Sequence, residues 1–223
     1  MRLEKLRLED AAQRLTEPFS MIDLATVGDL TVSLYLCQGV LAWHRHLDQD
    51  ELFWVHKGVI LLESERGKVR LRPGELAVVH KGLAHRSSSP LRSTVLLVRC
   101  TVLPNRKNGR FRLYGTTEPG PERVSLRAAA RQLSAPFRPQ TVARVEDAVV
   151  QVARGKGVWP MPELAEYDTL LVALSGTVIV QTERGALALR ADELTVVPRG
   201  MVYTLTTTED AVLVRLTRDE SLG

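Results

Sequence analysis

The sequence matches itself when it is shifted by 118 positions, and the matches run along most of the overlap without a gap. Pro18-Phe19 falls on Pro136-Phe137, and the triplet that starts at Glu65 falls on the one that starts at Glu183. Four glycines also keep their register: Gly39, Gly58, Gly67 and Gly82 fall on Gly157, Gly176, Gly185 and Gly200. Self-similarity at one fixed period indicates a structural unit that is present more than once. We therefore interpret the chain as a tandem duplication.

The repeat sets the expected domain boundaries. The first copy is expected to cover residues 1–105 and the second residues 121–223, with residues 106–120 as a linker that contains proline and glycine. The densest basic cluster, Arg106, Lys107, Arg110 and Arg112, lies in that linker. The net charge is only +4, and no basic stripe alternates with aromatic residues. We therefore expect no nucleic-acid partner.

Each copy opens with an amphipathic pattern and continues with a different one. The segments LEDAAQRL and LRAAARQL each predict one short helix, which Pro18 or Pro136 stops. Short runs rich in leucine and β-branched residues follow, separated by glycines at near-even spacing. Such runs are typical of a sandwich or barrel, and they do not fit alternating strands and helices. The predicted fold class is all-β with minor helix.

The composition is that of an ordinary globular chain. Apolar residues make up 44% and charged residues 25% of the 223 positions. Cys37 and Cys100 are the only cysteines, which is too few for a disulfide scaffold. The N-terminus lacks the apolar core of a signal peptide, and no apolar run is long enough to cross a bilayer. We expect a cytoplasmic protein with no membrane partner.

All five histidines lie in the first copy, between residues 44 and 85. His44 and His46 are followed by Glu51 and Gly58, and further on Lys81-Gly82 precedes His85. This order and spacing resemble the two motifs of the cupin superfamily, in which a histidine pair, a glutamate and a glycine precede a glycine-flanked histidine. The resemblance implies two tandem cupin barrels of the double-stranded β-helix, or jelly-roll, type. It also implies a metal site formed by His44, His46, Glu51 and His85.

The chemistry of these four side chains agrees with that implication. In a strand, residues i and i+2 face the same side, so His44 and His46 can both point into a barrel. Glu51 adds an anionic oxygen, and His85 arrives from a distant segment once the chain folds. Three imidazole nitrogens and one carboxylate suit iron, manganese, nickel, copper or zinc, and the ligand types do not distinguish these metals. We expect one divalent ion per chain.

The remaining motif positions are interpreted as structural. His56 has the opposite strand parity from Glu51, and His80 stands where the cupin pattern usually has proline, so neither is expected to be a ligand. Ser89 replaces the asparagine that many cupins have four residues after the last histidine.

In the second copy the ligand positions become Pro162, Leu164, Thr169 and Tyr203, which form no ligand set. The second barrel is therefore expected to hold no metal. Its interior is expected to be either a packed apolar core or an apolar pocket.

The expected function is that of a metal-dependent small-molecule enzyme of the dioxygenase or isomerase type, acting at the first barrel. The alternative is a cupin that only binds or senses a small ligand. Pocket residues such as Phe53 would select the substrate, but no catalytic residue is identified, and the sequence has no phosphate loop or other cofactor motif. The expected partner is a small molecule. The two barrels are expected to pair as a dimer does, and a further homodimer is left open.

Overall fold

A computed structural model of the chain describes residues 2–101 and 117–219. The first part contains one short helix and eight strands. In chain order these are β1 (Leu6–Arg7), α1 (Leu8–Gln13), β2 (Met21–Val27), β3 (Leu30–Val40), β4 (Glu51–Lys57), β5 (Ile60–Ser64), β6 (Gly67–Leu71), β7 (Glu75–Val79) and β8 (His85–Cys100).

The second part repeats this order with one additional short strand. Its elements are β9 (Val124–Ser125), α2 (Leu126–Gln132), β10 (Gln140–Val145), β11 (Ala148–Val158), β12 (Glu163–Leu164), β13 (Thr169–Ser175), β14 (Thr177–Thr182), β15 (Gly185–Arg190), β16 (Glu193–Val197) and β17 (Val202–Arg218). Strand β11 begins and ends 118 positions after β3, as the sequence repeat predicts.

The chain divides into two compact units. One, here called the N-terminal barrel, contains Ala12–Ala25 and Asp29–Ser125. The other, the C-terminal barrel, contains Met1–Ala11, Thr26–Gly28 and Leu126–Gly223. Of the predicted linker, residues 106–116 and the basic cluster lie outside the described residues. Residues 117–120, the described end of that linker, belong to the N-terminal barrel.

The sheet of the N-terminal barrel is built on its longest strand. Its strands are ordered β2-β3-β8-β4-β7-β9, and β5 pairs with both β6 and β8. The pairs β3–β8, β4–β7, β4–β8, β5–β6, β5–β8 and β7–β9 are antiparallel. Strand β8 is long enough, at 16 residues, to pair with β3, β4 and β5 along different parts of its length. Its first residues therefore lie in a different part of the barrel from its last ones.

The C-terminal barrel has the same connectivity around β17. Its strands are ordered β1-β16-β13-β17-β11-β10, with β12 and β14 also paired to β17. In each barrel the edge position beside β7 or β16 is taken by a two-residue strand: β9 pairs with β7, and β1 pairs with β16. The first residues of the chain thus complete the C-terminal barrel, an exchange that the boundaries expected from the sequence did not include.

Each barrel encloses its own apolar core. The N-terminal core includes Tyr35, Phe53, Leu62 and Leu97, all at most 4% exposed. The C-terminal core is built from the matching strands and includes Trp159, Leu171 and Tyr203. The fold class predicted from the sequence, two all-β jelly-roll barrels with a short helix in each repeat, is therefore confirmed. The helices end earlier than their amphipathic patterns, at Gln13 and Gln132.

Within the two described ranges, no helix is both long and apolar enough to cross a membrane.

Glu193 ties the first residues of the chain to the C-terminal barrel. Its carboxylate accepts hydrogen bonds from Lys5 Nζ at 3.0 Å and from the backbone N–H of Arg190 at 2.8 Å, with Arg7 3.7 Å away. Burial alone would raise the pKa of Glu193, but the Arg190 N–H and the cations Lys5 and Arg7 outweigh it and lower that pKa.

We predict that Glu193→Gln lowers the free energy of unfolding by about 1 kcal/mol at neutral pH. Because folding lowers the pKa of Glu193, the extra stability of the wild type over the variant is complete above pH 4.5, the ordinary pKa of a glutamate. This extra stability decreases as the pH falls below that value. Urea unfolding at pH 7 and pH 3.5 measures this difference. The matched control is Asp210→Asn, since its ion pair with Arg154 is exposed and should contribute less. An equal effect of Glu193→Gln at both pH values would contradict the prediction.

Candidate metal centre

Three separate segments of the N-terminal barrel bring His44, His46, Glu51 and His85 together. His44 and His85 exchange two backbone hydrogen bonds, of 3.0 and 2.9 Å, in an isolated antiparallel bridge. The carbonyl of His46 accepts a 2.7 Å hydrogen bond from the N–H of Gly82, which has a positive φ of 88°. Glu51 is the first residue of β4 and is paired with both β7 and β8. The backbone therefore fixes the direction of each side chain before any ion is considered.

The sequence predicted that His44 and His46 lie on a regular strand, and this local prediction is wrong. Residues 41–50 contain only the single bridge at His44. The two side chains nevertheless converge, because the carbonyl groups of both histidines are anchored to the segment that ends in His85.

The four side chains offer one compact set of ligand atoms. One nitrogen from each histidine and one oxygen of Glu51 all lie within 4.8 Å of one another. The imidazole centroids of His44 and His85 are 4.3 Å apart, and His46 Nε2 is 3.4 Å from Glu51 Oε1. Within the described part of the chain, this is the one group of three or more His, Cys, Asp or Glu residues close enough to hold a metal.

The outward-facing nitrogen of each imidazole already has a polar neighbour. His44 Nδ1 is 2.9 Å from the carbonyl of Ala42, His85 Nδ1 is 3.0 Å from the carbonyl of Leu83, and His46 Nδ1 is 3.4 Å from Gln49 Nε2. A carbonyl can only accept, so in His44 and His85 the proton belongs on Nδ1 and the lone pair on Nε2. Metal-ligating histidines usually have such a partner for their second nitrogen.

This arrangement leaves two acceptors facing each other. His85 Nε2 is 2.9 Å from Glu51 Oε2, and both residues are almost fully buried. An imidazole lone pair and a carboxylate oxygen repel each other at that distance unless a cation or a proton lies between them. The chemistry of the donor set therefore fits a metal ion bound by one nitrogen of each histidine and by Glu51.

The electrostatics favour the protonation states that bind metal. Burial lowers the pKa of His46, with further contributions from His44, His85 and Arg99, against the opposing effect of Glu51. Burial would raise the pKa of Glu51, but a proton on His85 Nε2, which would hydrogen-bond to the carboxylate, and positive charge on the neighbouring imidazoles lower it. A neutral imidazole and an ionised carboxylate are the forms that coordinate metals.

The core of the N-terminal barrel also contains buried hydroxyl and thiol groups. Tyr35 Oη is 3.0 Å from Ser87 Oγ, and the pKa of Tyr35 is raised, mainly by burial, so that it keeps its proton. Cys37, a free and buried thiol, belongs to the same hydrogen-bonded cluster. Phe53, expected to line the pocket, stands edge-on to His85 with ring centroids 6.1 Å apart. The inward parity of Tyr35 and Cys37 on β3 was the available sequence signal for this cluster.

The other two histidines lie outside the ligand group. His56 is buried at the end of β4, with Nδ1 3.0 Å from Thr94 Oγ1. His80 Nδ1 is 3.3 Å from Asp50 Oδ2, and Asp50 also accepts from the N–H of Lys81 at 2.9 Å. His80 therefore helps to hold the segment directly before Glu51. Ser89 bonds to the carbonyl of Val59 and lies 3.0 Å from Ser93 Oγ, far along β8 from the ligands.

In the C-terminal barrel, the strand pairing at the position of the metal ligands departs by one residue from the constant offset of 118. There Glu163, and not Pro162, is paired with Tyr203, although the offset alone would place Pro162 opposite it as His44 is opposite His85. Tyr203 Oη donates to Glu163 Oε2 at 2.8 Å, and Arg215 Nη1 contacts the same oxygen at 2.8 Å. The C-terminal barrel therefore has the expected apolar core, and beside it an ion pair that the sequence analysis did not predict.

Arg215 could have been noticed in the sequence. It stands two positions after the buried Leu213 and opposite the buried Leu171, where the N-terminal barrel has Leu97. A charged residue at an inward-facing position of a strand is uncommon enough to mark a special site. The partner Glu163 could not have been assigned, because a one-residue change of pairing moves it inward.

Two comparisons of sequence bear on this geometry. A family model described as "Homogentisate 1,2-dioxygenase N-terminal" matches residues 163–215, a stretch that lies within the second copy. The uncharacterized protein YdbB of Bacillus subtilis (strain 168) is 31% identical over 88 residues, which is 39% of this chain and 78% of YdbB. The chain and YdbB therefore belong to the same protein family.

Solved structures give the fold. A cupin 2 conserved barrel domain protein from Leptotrichia buccalis superposes with a TM-score of 0.76 at 9% identity, over 98% of both chains. The chain has the fold of that two-barrel cupin protein. A salicylate 1,2-dioxygenase from Pseudaminobacter salicylatoxidans superposes with a TM-score of 0.72 at 12% identity, over 97% of this chain and 84% of that enzyme.

We predict that divalent metal ions stabilise this protein through Glu51. A ligand present at 100 times its Kd adds about 2.7 kcal/mol to the free energy of unfolding, or roughly 5–10 °C in Tm for a chain of this size. Glu51→Gln keeps the shape but removes the anionic oxygen, so the metal-induced rise in Tm should largely disappear. Differential scanning fluorimetry with and without metal measures the rise. Glu63→Gln, which changes a carboxylate of the same barrel outside the ligand group, is the control and should keep the full rise.

Proposed function

We propose that this chain is a two-domain cupin, or bicupin, formed by tandem duplication, with one complete metal site. In this proposal His44, His46, Glu51 and His85 hold one divalent transition metal ion in the N-terminal barrel. The observation that carries the proposal is the convergence of these four ligand atoms within 4.8 Å, with Nδ1 of His44 and His85 facing backbone carbonyls.

The C-terminal barrel contributes no second metal in this proposal. Its inward carboxylate, Glu163, already has a cation, since Arg215 Nη1 lies 2.8 Å from it. A guanidinium in that position repels a divalent ion and also competes with it for the carboxylate. The asymmetry between the barrels thus has a physical cause beyond the loss of histidines.

The proposed activity is that of a metal-dependent dioxygenase acting on a small molecule. The ion that His44, His46, Glu51 and His85 would hold would supply Lewis-acid and oxygen-binding chemistry at this site. The likeness to salicylate 1,2-dioxygenase, which extends over both barrels, supports this class over an isomerase or a ligand sensor. The homogentisate 1,2-dioxygenase family model matches residues 163–215, in the C-terminal barrel.

The residues of the chain would then orient the substrate and shield it from water. Phe53, 4% exposed and edge-on to His85, gives an apolar wall beside the metal ligands. The hydroxyl groups of Tyr35 and Ser87 add a buried polar spot within the same core. Such a combination of an apolar wall and a few fixed hydroxyl groups is typical of small-molecule sites.

The first test counts metal in purified protein. Elemental analysis should find close to one transition metal per chain, and His46→Ala should lower this number to near zero while the circular dichroism spectrum stays that of the wild type. Tyr203→Phe, at the matching position of the C-terminal barrel, should leave the number unchanged. A value near two, or a value near zero in freshly purified wild type, would contradict the asymmetric site.

The second test measures catalysis. An oxygen electrode with metal-loaded protein and a panel of small catechols, thiols and keto acids should show O2 consumption with one of these classes. His46→Ala should abolish that consumption, since it removes a metal ligand. If fully loaded protein consumes no O2 with any member of the panel, the dioxygenase assignment is wrong, and an isomerase or a sensor becomes the better interpretation.

A further inference from the structure

One outer face of the C-terminal barrel carries no charged side chain. Residues paired across antiparallel strands point to the same side of a sheet, and the strand register places nine side chains together on the side away from the core. These nine residues, here called the uncharged face, are Val158, Leu164, Ile179, Gln181, Ala186, Ala188, Val202, Thr204 and Thr206. Val158, Leu164 and Val202 are 64%, 57% and 45% exposed, so the described part of the chain leaves this face open.

The matching face of the N-terminal barrel carries four charged residues. There Glu63 is paired with Arg86 on one side and with Lys68 on the other. Arg70 follows in the next row, opposite Leu61. Glu63 and Arg86 also form an ion pair of 2.8 Å. Strand pairing and the offset of 118 both relate Glu63, Arg86, Lys68 and Arg70 to Gln181, Thr204, Ala186 and Ala188, in that order.

The fold does not require this difference between the two faces. The N-terminal barrel has the same strand pairing with charged residues at these positions, so charges there are compatible with the architecture. A sheet face in water ordinarily carries charged side chains, which keep it soluble. The centre of a protein–protein interface is instead depleted of charge, and its rim is polar. Gln181, Ala186 and Ala188 are thus the residue types expected of a face that another molecule covers.

The charge and the shape of the uncharged face favour a second copy of the chain as that molecule. A two-fold contact brings the same patch to both sides, and an uncharged patch does not repel itself. The small side chains of Ala186 and Ala188 suit close packing against another flat sheet. At the edge of the face, the turn between β14 and β15 carries Glu183 beside Arg184, both exposed. The rim of each copy therefore offers both signs of charge to the other copy.

The size of the uncharged face is that of a small interface. Four neighbouring strands about 4.8 Å apart, with about five residues of about 3.4 Å each, cover about 20 by 17 Å. Specific dimers usually bury about 800 Å² of accessible surface on each partner, and weaker ones bury less. We therefore expect a reversible dimer with a Kd in the micromolar range, and not an obligate one.

We propose that the uncharged face of the C-terminal barrel is a dimer interface, at which two copies of the chain associate about a two-fold axis. Pairing of one patch with itself closes the assembly at two copies. The charged face of the N-terminal barrel takes no part in this contact. The interaction goes beyond the proposed dioxygenase activity and involves none of the metal ligands.

Sedimentation equilibrium of the full chain tests the proposal. Concentrations from roughly 1 to 200 µM bracket a micromolar Kd, and we expect a reversible equilibrium between monomer and dimer over this range. Because the centre of the face is uncharged, raising the NaCl concentration from about 0.1 to about 1 M should change the Kd by less than about threefold.

Charged residues of the N-terminal barrel, introduced at the matching positions, locate the interface. Ala188→Arg should raise the Kd by about tenfold or more, because the dimer would bury a guanidinium without a partner. The double variant Gln181→Glu/Thr204→Arg introduces the ion pair of the N-terminal barrel and should also raise the Kd, since that pair would lose water on association. Arg70→Ala makes the reverse change on the N-terminal barrel and is the matched control, whose Kd should equal that of the wild type. Circular dichroism and Tm confirm that each variant is folded.

Four results would overturn the proposal. The first is a monomer over the whole concentration range. The second is an unchanged Kd in Ala188→Arg and in the double variant, or in whichever of the two folds. Weaker dimerisation of Arg70→Ala would place the contact on the N-terminal barrel. Dissociation at high salt would show that ion pairs, and not the uncharged face, hold the copies together. None of these results bears on the metal count or on O2 consumption at the N-terminal barrel.

Discussion

Glu51 and Glu163 each bring a carboxylate to the interior of a β-barrel, where an isolated charge would cost several kcal/mol. Each therefore needs a positive partner, and the two barrels differ in what they offer. Glu51 faces three imidazoles, and the hydrogen bonds of Nδ1 to backbone carbonyls leave a lone pair on Nε2 of His44 and of His85. Glu163 faces the permanent cation Arg215 and the hydroxyl of Tyr203. In the first barrel the proposed metal ion would balance the charge of Glu51, and in the second Arg215 balances the charge of Glu163.

The backbone makes this difference possible without a change of fold. The reciprocal hydrogen bonds between His44 and His85, and the pairing of Glu163 with Tyr203, hold the same two segments together in each barrel. In both cases the second segment is the start of the long strand that pairs with three others. The barrel wall is thus set by pairing of the main chain, and the side chains that point inward from it are free to carry different chemistry.

The sequence was enough to predict the fold class and to identify the four candidate ligands. It was not enough to predict the backbone conformation around the histidine pair. The histidine pair, Glu51 and His85 are recognisable because the motif fixes residue types at set spacings. No sequence pattern indicates the irregular backbone of residues 41–50. Tertiary hydrogen bonds to Gly82 and His85 determine this conformation, and strand propensity does not. The same limit applies to β1, whose pairing with β16 joins residues separated by nearly the whole chain.

The interior of the C-terminal barrel shows why correspondence in a repeat has to be taken from backbone pairing. A constant offset of 118 places Pro162 at the position of His44, and on that basis none of the four ligand positions carries a charged group in this barrel. The pairing of Glu163 with Tyr203 moves the register by one residue, and one residue is enough to turn a side chain from the outside of a barrel to the inside. The inward Arg215 follows the same logic, because a buried guanidinium is tolerable only where a carboxylate has also turned inward. Neither residue is informative alone, and together they mark a polar site in a barrel whose aligned positions suggest only a degenerate one.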